Sequence, residues 1–206
     1  MQINEQYAKL ADDATIQKTA EALKKNGISA VVVETEEEAK KKVLELLPQG
    51  SEVMNMTSMT LEAINVVSEL NESEHFNSVH NKLNAMDQKT QGAEMRRLGA
   101  APEWVVGSVH AVTEDGHVLV ASASGSQLPA YAYAAGHVIW VIGTQKIVKN
   151  IEEGMKRIYE YSFPLEDERA LKAYGMHSGV NKILIVNKEF VPERITAILV
   201  KKKLGF

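Results

Sequence analysis

Two short segments gather side chains that could hold an anion. Asn55-Met56-Thr57-Ser58-Met59-Thr60 sets three hydroxyls between an apolar run and a helical pattern. Ser122-Ala123-Ser124-Gly125-Ser126-Gln127 sets small polar residues and a glycine at the same kind of junction. Free backbone N–H groups at a helix start attract negative charge, and hydroxyls add donors without crowding it. Ordinary N-capping uses the same residues. Two such loops in one sheet point beyond capping to a bound anion, with Thr57, Ser58, Thr60, Ser124, Gly125, Ser126 and Gln127 as its ligands. Lys146, in GTQKIV directly after the run HVIWVIG, falls on the same edge and could reach that anion.

A second constellation could move protons. His110 and His117 flank the turn at Glu114-Asp115, and Glu114, Asp115 and His117 form a candidate acid/base set. An imidazole titrates near pH 6.5, so a neighbouring carboxylate can hold it ready for proton transfer. A solvated polar turn, with His117 thrown outward by strand alternation, is the alternative. None of the six histidines forms the i, i+4 pair with a carboxylate that a helical zinc site uses, so no metal is expected.

The elements that must position these residues follow from periodicity. Ile3, Tyr7, Leu10, Ala14, Ile16, Ala20 and Leu23 keep helical spacing until Lys24-Lys25-Asn26-Gly27 stops it, which gives a helical segment over residues 1–26. ISAVVVE then reads as a strand, and Thr35-Glu36-Glu37-Glu38 as a capping box opening a helix buried through Ala39, Val43, Leu46 and Leu47. SEVMNM is a second strand and TSMTLEAINVVSEL a helix. Strand alternating with helix predicts a parallel sheet.

Further along, a helix is expected around Asn81 to Leu98, and strands over Trp104 to Thr113 and Val118 to Ala123 with a turn between them. LPAYAYAA reads as a helix and HVIWVIG as a buried strand. Amphipathic helices follow around Ile151 to Tyr159 and after Pro164. KILIVN, wholly apolar, reads as a central strand, and RITAILV as another. The fold class is therefore α/β, a mainly parallel open sheet with helices packed on it. Its expected strands include Val31 to Val33, Glu52 to Met54, Val118 to Val120, Val138 to Ile142 and Ile183 to Val186. With no repeat and no linker, residues 1–206 read as one domain, the 1–26 segment packed on it.

Composition narrows the function classes. The chain has 206 residues, 23 Lys+Arg against 27 Asp+Glu, a net charge of −4 and no cysteine. A chain of this size hides about 70% of its extended surface, so a core forms without staples. The missing cysteine excludes disulfides, thiolate metal sites and a cysteine nucleophile. Charge spread evenly and slightly negative argues against nucleic acid; Lys201-Lys202-Lys203 and Arg96-Arg97 read as solvated surface. No apolar stretch nears the ~20 residues of a membrane helix and MQINEQYAKL carries no signal-peptide pattern, so a cytoplasmic protein is expected.

The segment GSVHAVTEDGHVLVASASGSQLPAYA, followed by GTQKIV, PLEDERA, NKILIV and the terminal LGF, resembles the LUD domain, the lactate-utilisation family. The resemblance spans essentially the whole chain. It implies a fold similar to that of ribose-5-phosphate isomerase, glucosamine-6-phosphate deaminase and the CoA transferases. It also implies a context in which some members work beside iron–sulfur partner proteins in oxidising L-lactate to pyruvate. Asp115-Gly116-His117 is similar to the DGH of the sugar-phosphate deaminase and phosphogluconolactonase branch, where an Asp-oriented His transfers protons. The continuation VLVASASGSQ departs from that branch, and the catalytic glutamate context of the CoA transferases is not found.

The leading expectation is thus a LUD-family protein binding a small anionic metabolite, a carboxylate or phosphate, with a possible part in lactate utilisation. The rivals are a sugar-phosphate isomerase or hydrolase using Asp115 and His117, and a non-catalytic regulatory or interaction subunit. Expected partners are the metabolite, the iron–sulfur proteins of lactate oxidation and further copies of the chain in a homo-oligomer, with no cofactor specified.

Overall fold

The computed structural model describes residues 3–206. Six strands form one sheet, parallel throughout, in the order β1 (Ser29–Val33), β10 (Ile195–Val200), β7 (His137–Gly143), β4 (Trp104–Gly107), β2 (Glu52–Asn55) and β3 (Asn77–Ser78). Parallel strands are covered on both faces, which is why β7 and β10 are almost continuously apolar. Alternation along β7 divides them: Val138, Trp140 and Ile142 enter one core cluster, Ile139 and Val141 the other.

The first face is covered by α1 (Asp13–Lys25), through Ile16, Ala20 and Leu23, and by a second sheet of four strands. The opposite face carries α2 (Glu36–Leu46), α3 (Met59–Ala63) and α4 (Val67–Glu72), through Val43, Leu61 and Leu70. Thr35 accepts from the Glu38 amide as the expected cap requires, while the Glu38 carboxylate accepts from the Glu34 amide, one residue before the N-cap.

The second sheet runs in the order β8 (Ile147–Val148), β5 (Ala111–Thr113), β6 (Val118–Ser122) and β9 (Lys182–Val186). Here the expectation for two runs is corrected. Val118–Val120 and Ile183–Val186 are not in the parallel sheet but pair antiparallel with each other. The tight turn at Asp115-Gly116 closes a hairpin between β5 and β6, and only antiparallel strands can be joined that closely. Nor is KILIVN central. It is an edge strand that reads as apolar because Leu184 packs toward the first sheet and Ile183 toward the helical layer outside the second. RITAILV holds the interior position instead.

Several expected elements are broken, and the breaks matter. Trp104–Thr113 is two strands, β4 in the large sheet and β5 in the small one, with Ser108-Val109-His110 crossing between them. The helix after β2 stops at Ala63 and resumes as α4, with Asn65 at φ 52° in the gap. The helix expected over Asn81 to Leu98 is α5 (Val79–Asn84) and α6 (Gln88–Ala100), the latter capped by Asp87. LPAYAYAA contributes only a π-turn, Ala130–Ala134. A second π-turn, Ile158–Ser162, joins α7 (Ile151–Arg157) to α8 (Phe163–Tyr174). Among the described residues no helix is long and apolar enough to cross a membrane.

Candidate functional site

The parallel strands of the large sheet end at one edge, and there the chain leaves β2, β4 and β7 to form a cleft of about 500 Å³. Thr57, Ser58 and Thr60 line it from the segment after β2, Ser108 and His110 from the crossover after β4, and Lys146 from the turn after β7. The carboxyl end of β6 adds Ser122, Ser124, Ser126 and Gln127, while Ser162, Glu166 and Arg169 close it from the last π-turn and α8. A crevice beyond the carboxyl ends of parallel strands is where open α/β sheets carry ligands. Both π-turns border it, through Tyr131 and through Ile158 and Ser162, in keeping with the frequent use of such bulges at functional sites.

Lys146 is 2% exposed, and among the described residues no carboxylate pairs with it. Its Nζ donates to Thr60 Oγ1 at 3.0 Å, Ser108 Oγ at 3.1 Å and the Val109 carbonyl at 3.0 Å. Thr60 and Ser108 give their own hydrogens to the Leu204 and Val141 carbonyls, so toward Lys146 both can only accept. Three acceptors need three N–H hydrogens, and only the ammonium has three. Burial and then the Arg157 charge pull the Lys146 pKa well below its usual value. The acceptor set works the other way and holds the proton in place.

Arg157 is a second buried cation without a carboxylate. It donates to the Gln145 and His110 carbonyls and to Ser162 Oγ, and its Nη2 has no partner. Burial lowers its pKa to about 10, which leaves it charged at neutral pH. Lys146 in the lining, and Arg157 behind it on His110 and Ser162, give the cleft a positive field in a poorly screened setting. Asn55, 4% exposed and also lining the cleft, has an Oδ1 with no partner.

The two hydroxyl loops therefore face one space but are not equivalent. Ser58 stands at the N-cap of α3 and makes no capping bond, so capping does not account for it. In the second loop Ser122 accepts from the Gly125 amide and donates to Gln127 Oε1, and Ser124 meets Ser126 at 3.1 Å, so much of that polarity is spent locally. Gly125, at φ 85°, shapes the turn without lining the cleft. Gly107 is required for another reason: a Cβ there would collide with the Tyr131 hydroxyl packed under the crossover.

Glu114, Asp115 and His117 do not join this site. They occupy the amino end of β6, whereas the cleft lies beyond its carboxyl end, and none lines it. Glu114 pairs with Lys18 at 2.7 Å, Asn26 donates to the Asp115 and Gly116 carbonyls, and His117 Nε2 lies 3.4 Å from Asp115 Oδ2. The Thr113 hydroxyl, more than His117, holds the Asp115 carboxyl below its ordinary range. These contacts fasten the hairpin to α1.

The sequence does not mark His110 and Ser108 as cleft residues, nor Arg157 as the cation behind them. The signal for the first two was the small-residue break Gly107-Ser108 inside an apolar run, where a strand changes sheets. A buried arginine on an amphipathic helix leaves no such mark. Among the described residues no group of three or more His, Asp or Glu could hold a metal ion.

Comparison with known proteins places the fold. A DUF162 family protein from Deinococcus radiodurans superposes with a TM-score of 0.58 at 12% identity, covering 93% of this chain and 99% of that one. Ribose 5-phosphate isomerase from Plasmodium falciparum gives 0.38 at 11% identity, over 83% of this chain and 94% of that one. eIF2B beta from Chaetomium thermophilum gives 0.37 at 18% identity, over 59% and 42%. No curated protein matches in sequence. The family model of the LUD domain matches residues 16–200, and with the parallel sheet and its edge cleft described above, the chain belongs to the LUD domain family.

Proposed function

We propose that the cleft binds a small oxyanion, a carboxylate or phosphate metabolite, and that the protein does so in lactate utilisation. Membership of the LUD family supports a lactate-utilisation-associated role. The observation that carries the binding reading is Lys146: an ammonium held by three neutral acceptors, 2% exposed, lining the cleft with no carboxylate paired to it among the described residues. Its hydrogens are all engaged, so it acts as a fixed point charge. Thr57, Ser58 and the Ser124 to Ser126 turn supply hydroxyl contacts to the ligand. The sequence has no cysteine to ligate a cluster, so an electron path in this role runs through a separate iron–sulfur partner.

The test is a thermal-shift series with lactate, pyruvate, sugar phosphates and CoA esters. A ligand at 100 times its Kd stabilises by about 2.7 kcal/mol, roughly 5–10 °C in Tm for a domain of this size. Lys146→Met keeps the volume and removes the charge, and should abolish the shift. A variant that responds like the wild type would refute the reading.

A further inference from the structure

We propose that His110 is an uncharged hydrogen-bond donor of the cleft, its Nε2–H reading an acceptor oxygen of the ligand while Lys146 and Arg157 supply the charge. This rests on the anion-binding reading of the same cleft and adds which residue recognises the anion's oxygen, and in what protonation state.

The geometry fixes the tautomer. His110 Nδ1 accepts the Ala121 backbone N–H at 3.1 Å, and an amide N–H cannot accept in return. Nδ1 must therefore carry its lone pair, and the ring proton belongs on Nε2. Nε2 makes no hydrogen bond among the described residues, and the side chain lines the cleft. The residue is also pinned at its backbone: its amide donates to the Leu119 carbonyl at 2.9 Å, and its carbonyl accepts from Arg157.

The surroundings keep it neutral. Lys146 approaches from the turn after β7 and Arg157 from α7, and among the described residues no carboxylate lies within ion-pair distance of the ring. Across the cleft, Glu166 and Arg169 of α8 are engaged with each other through two bonds of 2.7 and 2.8 Å, and His80 of α5, Tyr131 and Tyr174 are the other ionisable side chains of the lining. Burial first, then the two cations, push the imidazole down to about 3. A neutral donor favours a carbonyl, carboxylate or phosphate oxygen and disfavours an ammonium or other donor at that position. It also leaves affinity free of the decline that a protonated histidine would impose as pH rises through 6.5.

The test uses the full chain labelled with ¹⁵N and two-bond ¹H–¹⁵N correlation of the imidazoles from pH 5 to 8, with pyruvate and inorganic phosphate as probes. His110 is assigned by comparison with His110→Asn. The expected result is a neutral Nε2–H ring throughout, whose Nε2–H resonance moves when a probe binds. Titration near 6.5, or an Nδ1–H ring, overturns the proposal. His110→Gln extends an amide toward the Nε2 position and should keep affinity within about threefold. His110→Asn can still accept from Ala121 but no longer reaches the cleft, and should lose about tenfold, the scale of a hydrogen bond to a charged acceptor. An unmoved resonance with an unimpaired Asn variant removes His110 alone. A wild type that binds neither probe nor the wider anion series removes the cleft reading and His110's role together.

Discussion

His110 and His117 lie on the two arms of one hairpin, at opposite ends, and the fold gives them opposite surroundings. Near the cleft, His110 has its Nδ1 occupied by a backbone amide and two cations for neighbours. At the turn, His117 stands 3.4 Å from a carboxylate that is 64% exposed. The turn is the more familiar pattern of proton chemistry, yet most of its polar groups answer one another, Asp115 to Thr113, Glu114 to Lys18 and the turn carbonyls to Asn26, while the His117 Nδ1 is buried without a partner. The cleft has an excess of one charge and an unpartnered Asn55 Oδ1. Satisfied polar groups hold a structure together, whereas an uncompensated charge beside an open space has unmet capacity for a ligand.

Three measurements test this contrast. The largest effect belongs to the turn. A Cβ at Gly116, where φ is 85°, would stand 2.7 Å from the Ala22 carbonyl carbon and 2.8 Å from the Leu23 nitrogen. Gly116→Ala should therefore cost about 2–4 kcal/mol through backbone strain and overpacking, roughly 5–10 °C in Tm, with anion affinity unchanged. A Tm within about 2 °C of wild type would show that the hairpin is not fastened to α1 as described.

The next effect belongs to the cleft and is read from pH. His110 has a folded pKa pushed down to about 3 against an unfolded value of 6.5. Between those values the unfolded chain binds a proton that the folded chain refuses, so its contribution to stability is present above about pH 6.5 and lost as pH falls. This one group should remove about 1.4 kcal/mol per pH unit, or about 2 kcal/mol between pH 6.5 and 5. Urea midpoints across that window should slope less steeply for His110→Asn than for the wild type. Parallel slopes would mean that the imidazole is not held neutral.

The smallest effect is expected at His117. His117→Gln should change stability by less than about 0.5 kcal/mol, the usual scale for a substitution outside any buried network. Isothermal titration with whichever anion the wild type binds should give the same Kd for this variant. A tenfold loss there would move the functional site to the turn and dissolve the comparison.

How far the site was legible depends on the range of the interaction. The Thr57-Ser58-Thr60 and Ser124–Gln127 loops could be found because a strand, a cluster of small polar residues and a helical pattern are adjacent in the chain. Lys146 could be placed because it follows HVIWVIG, whose burial on both faces is written in its apolar run. His110 could not be separated from His117, since both flank the same turn and nothing local says which end of a hairpin meets a cleft. Likewise, two apolar runs do not reveal their sheet: β6 is buried on both faces as a central parallel strand is, and β9, an edge strand with Ile185 exposed, is equally apolar in sequence.

By itself the sequence determined the α/β class, the existence of most strands and helices, and the polar loops at one sheet edge, all of which depend on periodicity and local hydrogen bonding over a few residues. Tertiary structure decided the division into two sheets, the placement of Ser108 and His110 at the crossover, and the approach of Lys146 in the cleft and Arg157 behind it. Those depend on contacts between residues far apart in the chain. Whether a charge is balanced is a property of the space around it, and that space exists only once the strands have assembled.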